Sequence, residues 1–291
     1  MKKFSKILVI VLALATLVGA CFAFAACNNN EGATKVKVLD FALTEEAYAF
    51  AVPKGDTEML NAANELLDEL ESTGQLAEII NSFFEGTATF TYTNPASSAG
   101  CLVVATNAQF PPFEYTSGNS FTGIDMQIAF LLAEKLGRTL YIADMEFDAA
   151  LLSMGNATLA PTADIAMAGI TVNAERLQTM DFTNTYYNSA QVIIVRENDT
   201  TFDNCTTADE IKAVLAQQNI SYTIGTQNGT TGFMYSHGDE GFGYDGFTNL
   251  TTRGYSNGAL AVQDLSNGVI NAVIIDRQPA LMISDNINSR I

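Results

Sequence analysis

Short apolar segments alternate with amphipathic segments along most of the chain from residue 102 onward. The apolar segments have the length of buried strands, at 102–106, 140–143, 164–167, 191–195, 222–225 and 272–275. Helical patterns lie between them at 125–136, 147–154, 206–217 and 257–265. Such alternation is typical of α/β proteins with largely parallel sheets. A chain of 291 residues with this many segments favours two lobes of ordinary size.

A second group of elements precedes this alternation, within residues 35–84. Strands are predicted at 36–39 and 47–52, and the turn 53–56 leads into a helix that ends near Gly74. The apolar residues of this helix and the next follow the three-to-four-residue spacing of a packed face: Met59, Leu60, Ala63, Leu66, Leu67, Leu70, Leu76, Ile79, Ile80 and Phe83. Residues 86–100 are rich in Thr, Ser, Gly and Ala, which predicts a linker with a short strand at 89–93.

The first 26 residues have the pattern of an export signal. Lysines at positions 2, 3 and 6 precede an apolar run over 7–20, and small residues lead to Cys27. Residues 24–27, Phe-Ala-Ala-Cys, followed by three asparagines, resemble a bacterial lipobox, so we expect lipidation at Cys27 and a polar tether over 27–34. A second site at Cys21, an uncleaved anchor over 7–26 and plain secretion stay open as alternatives. Each of them puts the bulk of the chain outside the cytoplasm.

Charge and cysteine usage exclude several classes of function. The formal net charge of −18 opposes binding to phosphate backbones, so no nucleic-acid partner is expected. A single histidine, His237, and the lack of a CxxC motif exclude the common zinc arrangements, and no metal or cofactor is predicted. Beyond the export segment, Cys101 and Cys205 fall in different halves of the expected fold. We therefore predict two unpaired thiols.

The clearest polar motif follows the strand predicted at 164–167. It runs from Gly169-Ile-Thr171 to Arg176, and ligands bind at the carboxyl ends of strands in open α/β sheets. A guanidinium can hold a carboxylate through two parallel hydrogen bonds. Thr171 can add its amide and hydroxyl, and the Gly169 carbonyl can accept from an ammonium. From these residues alone, a surface ion pair of Arg176 with Glu175 or Asp181 stays open.

Two further motifs end strands in the second half of the chain. Residues 225–231, Gly-Thr-Gln-Asn-Gly-Thr-Thr, are expected to open a helix, and exposed amides at a helix N-terminus attract anions. Taken alone, such a turn usually serves only as a helix cap. Asp276 follows the apolar run 272–275, where a carboxylate suits an ammonium partner. An ion pair of Asp276 with Arg277 is the alternative.

Together these strings resemble the polar amino-acid-binding proteins of ABC importers, the bacterial extracellular solute-binding proteins of family 3. The resemblance implies a two-lobed, type II periplasmic-binding-protein-like α/β fold, without catalytic residues or cofactors. It implies that the ligand carboxylate is held by Arg176, Thr171, Gly229, Thr230 and Thr231. The ligand ammonium is assigned to Asp276 and Gly169.

The ligand side chain is assigned by the same resemblance to the loop at 110–115, Phe-Pro-Pro-Phe-Glu-Tyr. Phe110 and Phe113 are expected to cover it, with packed core rings as the alternative, while Glu114 is expected to be structural. Asn107 stands where some binders of basic amino acids carry an acid, which favours a neutral polar ligand such as glutamine. Asp125, after Gly123-Ile124, is predicted to cap a helix.

The order of the strings departs from the family. Residues 35–84 resemble its C-terminal end, whereas the run from 101 onward resembles the rest, so we expect a circular permutation. Lobe 1 then comprises 46–92 and 100–187, and lobe 2 comprises 35–44 and 191–291. Residues 86–100 join the old termini, and the hinge lies at 45–47 and 186–190. A broken tandem, with a second lobe that lacks its last strand, is the alternative.

The sequence therefore predicts a non-catalytic, monomeric binding lipoprotein, tethered through lobe 2. It would capture a free polar amino acid and deliver it to the permease of an ABC importer. An enzyme on the same scaffold, such as a cyclohexadienyl dehydratase, and a sensory binding module are the alternatives.

Overall fold

Two five-stranded sheets organise the chain in the computed structural model, which describes residues 32–156 and 158–291. The strands are β1 Val36–Leu39, β2 Glu46–Tyr48, β3 Ala51–Pro53, β4 Leu102–Thr106, β5 Gln109–Phe110, β6 Glu114–Ser117, β7 Ser120–Thr122, β8 Leu140–Asp144, β9 Ile165–Ala166, β10 Met180–Phe182, β11 Tyr187–Ser189, β12 Gln191–Arg196, β13 Thr223–Gln227, β14 Thr251–Tyr255 and β15 Ala272–Asp276. The helices are α1 Thr57–Thr73, α2 Gln75–Phe84, α3 Ile124–Lys135, α4 Phe147–Leu152, α5 Arg176–Thr179, α6 Ala208–Ala216, α7 Thr231–His237, α8 Gly258–Ser266 and α9 Arg277–Asn288.

The predicted signal peptide, Cys27 and most of the predicted tether lie outside the described residues. Within 32–156 and 158–291, none of the helices is long and apolar enough to span a bilayer. Cys101 and Cys205 are both free thiols, as predicted.

Each sheet forms the centre of one lobe. The sheet of lobe 1 has the order β10-β3-β9-β4-β8, and that of lobe 2 has the order β1-β12-β15-β13-β14. The two-lobed α/β prediction is therefore confirmed, but the prediction of largely parallel sheets is wrong. In lobe 1, β4 runs parallel to β8 and β9 while β3 is antiparallel to its neighbours. Two strands that follow each other in the chain can pair in parallel only through a long crossover connection. The strands that enter a lobe directly from the hinge have no such connection, and they pair antiparallel.

Residues 35–84 contribute to both lobes. β1 forms the edge of the lobe 2 sheet by pairing antiparallel with β12, from Val36 opposite Arg196 to Leu39 opposite Ile193. β3 lies inside the lobe 1 sheet between β9 and β10. α1 and α2 pack on lobe 1, where their apolar faces join the same core as α3. This segment therefore supplies one strand to each sheet.

The start of β1 lies beside the end of α9. The Asn288 side chain accepts from the Val36 amide (2.8 Å) and donates to the Val36 carbonyl (2.9 Å). Thr34 is also fixed to lobe 2, because its amide donates to the Ser266 carbonyl (2.9 Å) and its carbonyl accepts from the Ser266 hydroxyl (2.8 Å). The prediction that the flexible tether extends to Thr34 is therefore wrong.

Two strands connect the lobes. β2 and β11 pair antiparallel, with Tyr48 opposite Tyr187 and Glu46 opposite Ser189. They lie where the sequence predicts the hinge. A ribbon of two short strands permits the lobes to rotate toward each other while the rest of each lobe stays rigid.

Residues 86–100, which we call the strap, follow the surface of lobe 1. Tyr92 forms a bridge with Phe121, and its hydroxyl donates to the Leu140 carbonyl (2.6 Å). The Asn94 side chain donates to the Ile142 carbonyl (2.7 Å) and accepts from the Ile142 amide (2.8 Å). The strap is thus a packed segment along β8, the edge strand of the sheet.

Helix α3 begins differently from the prediction. Its N-cap is Gly123, at φ 126°, where an added Cβ would collide with the Phe113 carbonyl. Asp125 lies inside the first turn, fully buried, and accepts from the Gly169 amide (3.0 Å) and the Tyr186 hydroxyl (2.6 Å). The prediction of Asp125 as the cap is wrong, because its carboxylate instead ties the helix to the loop after β9.

Candidate functional site

A narrow cavity of about 10 Å³ lies between the two lobes. Its lining residues are Asn107, Phe110, Glu114, Phe147, Ala168, Gly169, Thr171 and Arg176 from lobe 1 and Gln227, Thr230, Thr231 and Asp276 from lobe 2. Most of them follow the carboxyl ends of strands, as the ligand-binding residues of open α/β sheets do.

Arg176 is the cation of this cavity. It begins α5 and is 5% exposed, and its amide donates to the Asn173 side chain (2.8 Å). Nη1 donates to the Thr171 carbonyl (2.7 Å), and Nη2 donates across the cleft to the Gly229 carbonyl (3.1 Å). The guanidinium carbon lies 5.4 Å from the Phe147 ring centre and 5.3 Å from that of Phe242.

The alternative of a surface ion pair for Arg176 is wrong. Among the described residues no acidic group lies within 4 Å of its guanidinium, and Asp181 pairs with Lys54 instead (2.6 Å). Burial lowers the pKa of Arg176 to about 10, so the side chain is still cationic at neutral pH. A buried cation without an acidic partner is costly, and an anionic ligand group in the cavity would relieve that cost.

Thr171 lines the cavity, but its hydroxyl is already engaged. It donates to Glu46 Oε2 (2.6 Å), while Glu46 Oε1 accepts from the Thr44 hydroxyl (2.7 Å) and from Gln191 Nε2 (2.9 Å). Glu46 lies on hinge strand β2 and is buried. The sequence reasoning missed it, because a lone Glu in a short strand carries no signal of burial. Of the two donors predicted for Thr171, only the amide is left for a ligand.

Asp276 ends β15 and is the acid that lobe 2 contributes to the cavity. Its carboxylate accepts from the Tyr48 hydroxyl and from Ser189 Oγ (3.4 Å). Burial, followed by the negative charge of Glu46, raises the pKa of Asp276 to about 7. The alternative ion pair with Arg277 is wrong, because Arg277 points outward and donates to Asp40 (2.5 Å).

The motif at 225–231 provides lobe 2 residues of the site. β13 ends at Gln227 and α7 begins at Thr231, with Thr230 as N-cap, and both threonines line the cavity. Gly229 does not line it. At φ 70°, an added Cβ at Gly229 would collide with the Asp148 carboxylate of lobe 1. In this structure the glycine therefore makes room for the opposite lobe, and its assignment to the ligand carboxylate stays a prediction.

The residues predicted to contact the ligand side chain do not all line the cavity. Phe110 lines the cavity, and so does Asn107, whose amide donates to the Met145 carbonyl (2.7 Å) and accepts from Gln227 Nε2 across the cleft (2.9 Å). Phe113 is fully buried behind Phe110, with ring centres 6.0 Å apart, and packs edge-on against Tyr48 at 5.1 Å. The prediction that Phe113 lines the pocket is wrong, and its alternative as a core ring is correct.

Gly169 lines the cavity at φ 53°, with its amide bound to Asp125. An added Cβ there would lie 2.9 Å from the Phe110 ring, so only glycine permits the ring and the loop to approach this closely. The sequence reasoning missed Phe147 and Gln227 as lining residues. Gln227 was within reach of that reasoning, because it stands at the end of a strand directly before the Gly-Thr-Thr turn.

Glu114 also lines the cavity, although it was expected to be structural. It is 1% exposed, and burial together with Asp125 raises its pKa well above the usual range. Its Oε2 atom has no hydrogen-bond partner among the described residues. The two buried acids Glu114 and Asp125 therefore favour retaining a proton between them.

Residues 102–274 match the family described as bacterial extracellular solute-binding proteins, family 3. The arginine-binding extracellular protein ArtP of Bacillus subtilis (strain 168) is 29% identical over 33% of this chain and 36% of its own length. ABC transporter arginine-binding protein 1 of Escherichia coli (strain K12) is 26% identical over 65% of this chain and 68% of its own length. The chain thus spans about a third of the first of these relatives.

Among solved structures, this chain is similar to the crystal structure of the ancestral amino acid-binding protein AncCDT-1, a precursor of cyclohexadienyl dehydratase. The two are 25% identical with a TM-score of 0.53, over 65% of this chain and 75% of that one.

Proposed function

This chain belongs to the bacterial extracellular solute-binding proteins, family 3, and we propose that it captures a free polar amino acid between its two lobes. The observation that carries the proposal is the opposition of Arg176 and Asp276 in one enclosed cavity. A buried guanidinium without an acidic partner suits the ligand carboxylate, and a buried carboxylate on the other lobe suits the ligand ammonium. Thr230 and Thr231 border the same space and complete the carboxylate subsite.

The ligand side chain would lie against Phe110 and the carboxamide pair of Asn107 and Gln227. Carboxamides offer both donors and acceptors without charge, which favours a neutral polar side chain such as that of glutamine. The relatives named above bind arginine by their names, and arginine is therefore the first competing ligand to measure.

We further propose delivery of the amino acid to the permease of an ABC importer, from a chain anchored outside the cytoplasm by lipid at Cys27. The short path from Cys27 to Thr34, which is bound to Ser266, would tether the molecule through lobe 2. The pairing of β1 with β12 supports a circularly permuted order over a broken tandem, because a truncated copy would lack that edge strand.

Calorimetry of the ligand-stripped mature protein against the twenty amino acids tests the proposal. We expect one or a few polar amino acids to bind, and Arg176→Ala and Asp276→Ala each to weaken binding by at least about 2 kcal/mol, or roughly thirtyfold. Arg277→Ala is the matched control, since that side chain pairs with Asp40 outside the cavity. Unchanged affinity in both cavity variants would exclude this site.

A cyclohexadienyl dehydratase-like activity is the second candidate. It is favoured by Glu114, a lining acid whose pKa is raised by burial and that could donate a proton to a leaving group. Incubation with prephenate and with arogenate separates the two functions. Release of the aromatic product would establish the enzyme, whereas binding of an amino acid without turnover would support the binding protein.

A further inference from the structure

A glycine-rich loop of lobe 2 reaches across the cleft to Arg176. The loop, residues 238–246, follows α7, and Asp239 and Tyr244 close it through two backbone hydrogen bonds (2.8 and 2.9 Å). The Phe242 amide donates to the Asp239 side chain (3.1 Å), which fixes the tip, and the Tyr244 ring packs edge-on against Tyr235 at 5.3 Å. The loop is thus held to lobe 2 and presents Phe242 in a defined position.

The tip of this loop contacts the binding arginine and its neighbour Glu175 in lobe 1. The Phe242 ring centre lies 5.3 Å from the Arg176 guanidinium. Beside it, a Cβ added to Gly241 would lie 2.6 Å from the Glu175 carboxylate, so the loop backbone approaches lobe 1 closely. Because Arg176 belongs to lobe 1 and Phe242 to lobe 2, this contact exists only while the lobes are together.

Arg176 also separates the ligand cavity from solvent. It lines the inner cavity and, in addition, an open pocket on the outer face that Phe242 and Gly229 border. Phe242 does not line the inner cavity. A ring over a guanidinium stabilises the cation, more strongly so when water is excluded. The ring is therefore placed to shield the arginine from the outer side without touching the ligand.

We propose that Phe242 is a positioning residue of the binding site, which holds and shields Arg176 in the closed form and thereby slows ligand release. The effect on ligand release rests on the proposed function. The shielding of Arg176 does not, because it is a property of the protein without ligand. Loss of the ring should let water reach the ion pair between Arg176 and the ligand carboxylate, and the lobes should separate more readily.

The first test needs no ligand. Phenylglyoxal modifies accessible guanidinium groups, and peptide mapping by mass spectrometry gives the rate at Arg176, with the outward-pointing Arg277 as internal reference. We expect slow modification of Arg176 in the parent and in Phe242→Tyr, which keeps a ring, and roughly tenfold faster modification in Phe242→Ala. Phe233→Ala is the matched control, because that half-buried ring of the same lobe stacks on His237 (5.3 Å) and not on Arg176.

The second test measures binding kinetics of the same four proteins by stopped flow with L-arginine, L-histidine and L-glutamine. Phe242→Ala should release the bound amino acid roughly tenfold faster with little change in the association rate, and Phe242→Tyr should restore the parent value. Equal Arg176 modification in parent and Phe242→Ala overturns the proposal, as does an equal effect of Phe233→Ala. If the parent binds no amino acid, the proposed function fails, and the modification rates still decide the role of Phe242.

Discussion

Buried charges dominate the site at the scale of single residues. Arg176, Glu46 and Asp276 are each less than a tenth exposed, and the hydroxyls of Thr171 and Tyr48 bind the two acids. The Asp276 carboxylate loses most of its hydration in these surroundings, and burial therefore shifts its pKa upward. The protonation state of Asp276 therefore depends on whether a cationic group is present in the cavity.

Ligand binding should depend on pH through Asp276. Its pKa of about 7 means that the ligand ammonium must displace a proton below neutrality, so affinity should fall as pH drops from about 7 to 5. The decline should be at most about tenfold per pH unit. Calorimetry across this range measures it, and buffers of different ionisation enthalpy should reveal proton release. Asp276→Asn should lose the dependence, whereas affinity that rises toward acid would contradict it.

Asp276 should have the opposite effect on the ligand-free protein, whose free energy of unfolding should fall as pH rises. The folded state raises the pKa of Asp276 from its ordinary value near 3.8, so it binds a proton that the unfolded chain releases between about pH 4 and 7. This contribution to the free energy of unfolding is greatest on the acid side of that window and declines as pH rises through it. Denaturation of Asp276→Asn without ligand, compared with the parent at both ends of the window, isolates the contribution.

At the scale of elements, the strap is the least expected feature. An open edge strand offers unpaired backbone groups to other chains, and β8 is such an edge. The Asn94 side chain satisfies both backbone groups of Ile142, as a neighbouring strand would do. Composition alone predicted a linker here, because Thr, Ser and Gly are typical of flexible segments. These residue types do not indicate the contact between Asn94 and Ile142.

Asn94→Ala should therefore destabilise lobe 1 without affecting the site. We expect the free energy of unfolding to fall by about 1–3 kcal/mol, because both backbone groups of Ile142 lose a partner. Chemical denaturation measures the change. Thr93→Ala is the matched control, since its hydroxyl bonds only the half-buried Ser120 (2.8 Å), and its loss of unfolding free energy should stay within about 0.5 kcal/mol. Equal stability of the two variants would show that the strap does not protect the edge.

At the scale of the whole molecule, the order of segments and the assembled shape are separable. The side chain of Asn288 holds Val36, so the end of α9 and the start of β1 are neighbours in space although they are far apart in the chain. Permutation is tolerated where termini lie close together and new ends fall in surface loops. The residues that line the cavity all belong to the part from 102 onward, and Glu46 and Tyr48 of the earlier part bind two of them, Thr171 and Asp276.

A reordered chain should keep both fold and binding. It would begin at Gly86, run to Ile291, continue through a short Gly-Ser connection into Gly32 and end at Glu85. We expect the circular dichroism spectrum of the parent and an affinity within roughly threefold of it, since the contacts of both lobes are retained. A control opened between Val103 and Val104, inside the inner strand β4, should fail to fold. Failure of the Gly86 version alone would argue against the permutation.

The sequence by itself determined the classes of element and the local chemistry of the site. Strands and helices followed from apolar periodicity, and Arg176 and Asp276 from the resemblance of the strings around them to the family, because both signals are confined to neighbouring residues. Only the tertiary structure decided which side chains share the cavity. Glu46 of the hinge binds the hydroxyl of the lining residue Thr171, Phe113 packs in the core, and Gly229 lies against Asp148 of the other lobe. These contacts join residues distant in the chain, and no local pattern encodes the distance between two lobes.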